Sequence, residues 1–186
     1  MGDTMTNTSI LETSPRIYVA SLSDYNAGRL HGRWIDADQD VDAIRAEIAA
    51  MLAESTEEVA EEWAIHDHDN FAGYDVPEHA DLEHVSQVAA LIAEHGRVFA
   101  ELLEHFGGDL DDARTHIRHG YRGAYRDIAD YASEFFEDVY HEALEALPGF
   151  IQSHIDWAGV GRDLELGGHI LTVECDGSVH IFDANP

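Results

Sequence analysis

HILTVECDGSVHIFD, residues 169–183, reads as two runs of β-type residues joined by Asp176-Gly177. Asp-Gly supplies the left-handed positions of a tight hairpin turn, and this is the strongest hairpin signal in the chain. A second β-type pair lies toward the other end, RIYVASL (16–22) and LHGRWIDA (30–37), with DYNAGR (24–29) expected as the turn between them. WAIHDH (63–68) has the look of a returning strand, and 73–77 of a connection. Between the ends the apolar spacing is helical. VDAIRAEIAAMLAES sets Val41, Ile44, Ile48 and Leu52 on one stripe behind an Asp. A second pattern runs from Asp81 to Phe106, divided at Gly96 and ended by Gly107-Gly108. A third, through Ile128, Tyr131, Phe135, Val139 and Tyr140, follows an interruption at 120–123 and stops at Pro148-Gly149. A short helix is expected over 155–164. The fold class is α+β, with small antiparallel sheets at the ends and helices between. Residues 1–15, polar and closed by Pro15, read as a flexible tail.

Charge is the compositional outlier. The 186 residues carry 38 Asp and Glu against 10 Lys and Arg, a net charge of -28, and all ten cations are arginine. Fifteen acids fall between 36 and 81, against three in the first 35 residues. Such a surface repels nucleic acid and anionic membranes, whose binding needs Lys and Arg, and attracts basic clefts and cations. No apolar run approaches a membrane span, and the polar N-terminus has no signal-peptide pattern. One cysteine, Cys175, excludes an internal disulfide framework. A soluble cytoplasmic protein is expected.

Patterns that carry catalysis are missing. HEALE (141–145) has Glu where a zinc protease motif needs its second His. The acids of DQDVDAIRAEI lack the glycine of a calcium loop. Cys175 has no catalytic motif around it and reads as a structural thiol. His66 and His68 alternate onto one strand face without a third ligand nearby, so a metal-dependent enzyme using them and nearby carboxylates stays as an alternative. An acidic chaperone of basic proteins is another. Arg114, Arg118, Arg122 and Arg126 recur every four residues, and acids such as Asp111, Asp112, Asp127 and Asp130 stand ready to pair with them. The acids themselves are either a salt-adapted surface or an array that imitates phosphates. At one duplex charge per roughly 1.7 Å, the net charge corresponds to about 14 base pairs.

Four separated blocks narrow the choice: RIYVASLSDYNAGRLHGRWIDA (16–37), AEEWAIHDHDNFAGY (60–74), YASEFFEDVY (131–140) and GRDLELGGHILTVECDGSVHIFDAN (161–185). In this order they resemble the ArdA antirestriction family. The resemblance implies a non-enzymatic DNA mimic, carried by mobile genetic elements. It would occupy the DNA-binding groove of a type I restriction-modification methyltransferase and specificity core, without cofactor or metal. It also implies an elongated homodimer built from three small domains in a row, divided here as an N-terminal α/β domain (16–76), a central helical domain (77–120) and a C-terminal α+β domain (121–186). The dimer surface is expected near Trp157 or the terminal hairpin. The family's acidic helical segment corresponds to Asp127, Asp130, Glu134, Glu137, Asp138 and Glu142, where Arg118, Arg122 and Arg126 lie closer than the family pattern leads one to expect. The expected partner-facing carboxylates are Asp42, Glu47, Glu54, Glu57 and Glu58 on a helix from 41 to 58. Glu61, Glu62, Asp67 and Asp69 follow on the strand and loop from 61 to 81, and the acidic segment together with Glu145 on a helix from 127 to 145.

Overall fold

A computed structural model describes residues 14–57 and 59–186. The expected tail falls almost wholly outside them, as does Glu58. The chain divides into two compact units, the first ending at Ala100 and the second running Glu101–Pro186.

In the first unit β1 (Arg16–Ser21) is followed by α1 (Leu22–Asn26), β2 (Gly32–Asp36), α2 (Val41–Ala53) and β3 (Trp63–Asp69). The strands form an antiparallel sheet in the order β2-β1-β3. Period-two alternation along β1 sends Ile17 and Val19 into the core. Its opposite face carries Tyr18 against Trp34, and Arg16 stacked 4.7 Å from the centre of the Trp34 ring. The register on β3 passes from Val19↔Ile65 to Tyr18↔Asp67, leaving His66 as a bulge without a β1 partner. α2 lays Ile44, Ile48 and Met51 into the same core. α3 (Leu82–His95) adds Val85, Val88, Leu91 and Ile92, and ends at Gly96 with φ +65° before α4 (Arg97–His105). The boundary between the units lies within α4.

The second unit continues with α5 (Leu110–Thr115), a π-helical turn (His116–Gly120), β4 (Tyr121–Tyr125) and α6 (Ile128–Val139). α7 (His141–Glu145), α8 (Gly149–Gln152), α9 (Trp157–Leu166), β5 (Ile170–Cys175) and β6 (Ser178–Asp183) complete it. Its antiparallel sheet has the order β4-β6-β5. The expected hairpin is present, with Asp176 and Gly177 at φ +51° and +77°. One face packs Ile170 and Ile181 against Tyr131, with Ile128, Phe135 and Leu164 around them. α6 and α9 cross closely at Gly161, where an added Cβ would stand 2.8 Å from Ile128 Cγ1.

Six expectations give way. DYNAGR is not a plain turn: Ser21 caps α1 by accepting the Asp24 N–H, and the chain reverses only after it. The interruption at 120–123 is a strand, β4, bulged so that Arg122 is skipped between Tyr121↔Phe182 and Gly123↔Ile181. The helix from 127 to 145 is two, parted at Tyr140 (φ -119°, ψ 24°), whose ring stacks on Phe136 at 5.0 Å. Pro148 starts α8 instead of ending a helix. The helix expected over 41 to 58 ends at Ala53, and the one over 155–164 begins at Trp157 behind the cap Asp156.

Candidate partner-binding acidic surface

Five helices begin on an aspartate: Asp40, Asp81, Asp109, Asp127 and Asp156 each accept backbone N–H groups of the first turn. There the carboxylate satisfies orphan donors and meets the positive end of the helix dipole. These acids are consumed locally. Asp24 is likewise structural. Its N–H donates to the Ser21 hydroxyl that caps α1, and its carboxylate is 2% exposed and accepts the Ser55 hydroxyl at 2.5 Å. Arg29 reaches both Asp24 and Glu57. The Ser55 hydrogen bond, helped by Ser21, Arg29 and His31 and opposed by burial, holds the Asp24 carboxyl below its ordinary range.

At least eight of the ten arginines are engaged in the same way. Arg16 pairs with Asp69 at 2.8 Å, Arg33 with Glu54 at 2.9 Å, and Arg45 with Asp42 at 3.0 Å. Arg114 pairs with Asp111, Arg122 with Asp183, Arg162 with Asp156, and Arg126 with Asp127 and Asp130. Three arginines of the four-residue series, Arg114, Arg122 and Arg126, therefore form ion pairs, with Asp183 a partner that sequence distance conceals. The N–H of Asp130 and the Arg126 guanidinium keep Asp127 well ionised, and Asp183 raises Arg122.

Of the expected partner-facing acids in the first unit, Asp42, Glu54, Glu57 and Asp69 are thus bound to arginines, and Glu47 accepts the Gln39 amide at 2.8 Å. Glu61, Glu62 and Asp67 are exposed. In the second unit Glu134 accepts the Tyr125 hydroxyl at 3.1 Å, and Glu137 the Ser133 hydroxyl at 3.2 Å. Glu137, Asp138, Glu142 and Glu145 are all exposed, with His141 3.5 Å from Glu145. At 100° per residue, Asp130, Glu134, Glu137 and Asp138 share an arc of about 100° on α6, which borders Tyr131 and Phe135 and faces away from Ala132.

His66 and His68 do reach one open cavity of about 500 Å³, where His68 Nε2 lies 3.8 Å from Asp75. Among the described residues no three His, Cys, Asp or Glu side chains converge to hold a metal ion. Cys175 is buried at the end of β5. No helix among the described residues is long and apolar enough to cross a membrane.

Comparison with curated proteins gives no significant match. The family model described as Antirestriction protein (ArdA), in contrast, matches residues 17–177, from β1 through the Asp-Gly turn. That span takes in the first sheet from Ile17 on, β4 and β5 of the second sheet and every exposed acid on α6 and α7, and it shows that the chain belongs to the ArdA antirestriction family.

Proposed function

We propose that this antirestriction protein is a non-enzymatic DNA mimic that, as a homodimer in the cytoplasm, fills the DNA-binding groove of a type I restriction-modification methyltransferase and specificity core. The observation that carries the reading is the division of labour among the acids. Arginines and helix caps take up one set, leaving Glu137, Asp138, Glu142 and Glu145 exposed in a matched family segment. From Glu134 to Asp138 the three α6 carboxylates that hold no arginine among the described residues advance about 6 Å along the axis, or about one charge per 3 Å. One strand of B-DNA carries a charge per about 3.4 Å. A groove built to grip phosphates with Lys and Arg meets a comparable density here. Complementary potentials then speed association and make it salt-dependent.

The test holds a type I methyltransferase core on labelled cognate DNA and titrates in the protein. Displacement near one dimer per enzyme supports mimicry. DNA that stays bound under a large excess of the protein refutes it and returns the acids to a salt-adapted surface.

A further inference from the structure

We propose that the cavity beside β3 is a socket for one arginine side chain of the enzyme the protein inhibits. The inference rests on the mimic reading and adds to it a localised contact that distributed charge does not require.

The walls come from three segments. His66, Asp67 and His68 belong to β3, Tyr25 to α1, and Asp75 and Glu78 to the loop after β3. The floor is apolar, since Ile65 and Val76 line it and are 3% and 6% exposed. Tyr25 stands edge-to-face with His66 at 4.9 Å and keeps 58% of its surface open. The bulge explains how β3 contributes both histidines and Asp67 to a single opening. The far wall is anchored on both sides: Ile65 N–H donates to the Glu78 carbonyl at 2.9 Å, and Tyr74 hydrogen-bonds His84 at 3.2 Å.

The acids of this cavity differ from their neighbours. Asp69, Glu54 and Glu57 each hold an arginine of the same chain. Asp75 instead faces His68 Nε2 at 3.8 Å, and Asp67 and Glu78 line the same opening, so its walls offer carboxylates to a further cation. The chemistry selects the guest. A guanidinium stacks on an aromatic face, donates to carboxylates in its plane, and lays its methylene stem on an apolar floor. An anion is repelled, and a bare metal ion finds no three converging donors.

The experiment titrates N-acetyl-arginine amide into the isotope-labelled full chain and follows backbone amide resonances, with the neutral citrulline analogue as reference. Saturable shifts centred on Tyr25, His66, His68, Asp75 and Glu78, absent with citrulline and lost in Tyr25→Ala, support the socket. Shifts of equal size along α2 and α6 mean an adventitious cation only and overturn it. Because Tyr25 is largely exposed, its replacement should leave the rest of the spectrum in place; the pair Asp75→Asn and Glu78→Gln gives an independent loss. In the DNA-displacement assay Tyr25→Ala should require about tenfold more protein, the weight of one desolvated cation–π contact. If wild type displaces DNA and Tyr25→Ala does so equally well, the socket is wrong and mimicry stands. If wild type displaces no DNA, mimicry is wrong, and the amide titration alone decides the socket.

Discussion

Neutralising Glu137, Asp138, Glu142 and Glu145 together, as Gln or Asn, should separate inhibition from folding. All four are exposed on α6 and α7, and none belongs to the buried cluster of Tyr131, Ile170 and Ile181. Gln at 137 still accepts the Ser133 hydroxyl, so the helix loses little. An exposed charge pair is worth about 0.5 kcal/mol. Four of them amount to about 2 kcal/mol, or about a 30-fold rise in the concentration that displaces DNA from a type I methyltransferase core. The thermal midpoint should hold or rise slightly, because four like charges leave a chain of net charge -28. Salt should weaken the wild type more than the variant. Asp127→Ala is the control in the opposite sense. It removes the α6 cap and an Arg126 partner, and should lower the midpoint while folded protein inhibits as before. A quadruple variant that displaces DNA as well as wild type would refute the reasoning. So would Asp138→Asn alone giving the full effect.

Gly161→Ala should destabilise the second unit by about 1 kcal/mol in urea unfolding. A Cβ 2.8 Å from Ile128 Cγ1 and 2.9 Å from the Ile128 carbonyl overpacks the α6–α9 crossing by about 1–3 kcal/mol, against about 1 kcal/mol of helix propensity gained. Ala72→Gly should stabilise by about 0.5 kcal/mol in the same assay, since Ala72 sits at φ +55° and relief of that strain exceeds the entropy a glycine adds to the unfolded chain. Burial first, and then the Asp183 charge, push the Tyr131 hydroxyl above its ordinary 10.0, so the folded state favours the protonated phenol. That contribution is complete below pH 10 and is lost as pH rises through the folded value. Tyr131→Phe should flatten the alkaline limb of stability against pH, measured by urea unfolding across that range.

What the sequence made legible was local. The Asp176-Gly177 turn, the break at Gly96 and the centre of the α2 stripe at Ile44 and Ile48 follow from neighbouring residues, while Met51 is buried on α2 where Leu52 was expected. β4 was not legible. YRGAY holds no β-branched residue, and its strand character comes from pairing with β6, some sixty residues away. The Tyr140 break, where the backbone leaves helical geometry at φ -119° and ψ 24°, is hidden by a helical pattern that runs through Phe136 and Tyr140. The acid content of the candidate surface was plain in composition, but the pairing was not. Arg33–Glu54 joins β2 to the end of α2, and Arg122–Asp183 joins β4 to β6; both depend on the finished fold. A capping-box spacing at Ser21 to Asp24 was the one local sign that an acid in this chain could be buried.

The absence of lysine takes on a physical sense in this arrangement. Three arginine ties sit at joints: a strand end at Arg16–Asp69, a sheet-to-helix seam at Arg33–Glu54, neighbouring strands at Arg122–Asp183. A planar guanidinium can hold a carboxylate with two donors, as Arg16 and Arg122 do, and Arg126 bridges two acids at once. A lysine ammonium offers a mobile point charge, suited to a solvated face where it would cancel the field that a basic groove needs to feel. The chain therefore places several of its cations at structural joints and keeps long, free ammonium groups off the acidic face. Caps and ion pairs turn part of the negative charge into stabilising contacts. The carboxylates outside those contacts can then stay close together on α6 and α7, because the core beneath them is held by apolar and aromatic packing that does not depend on their charge.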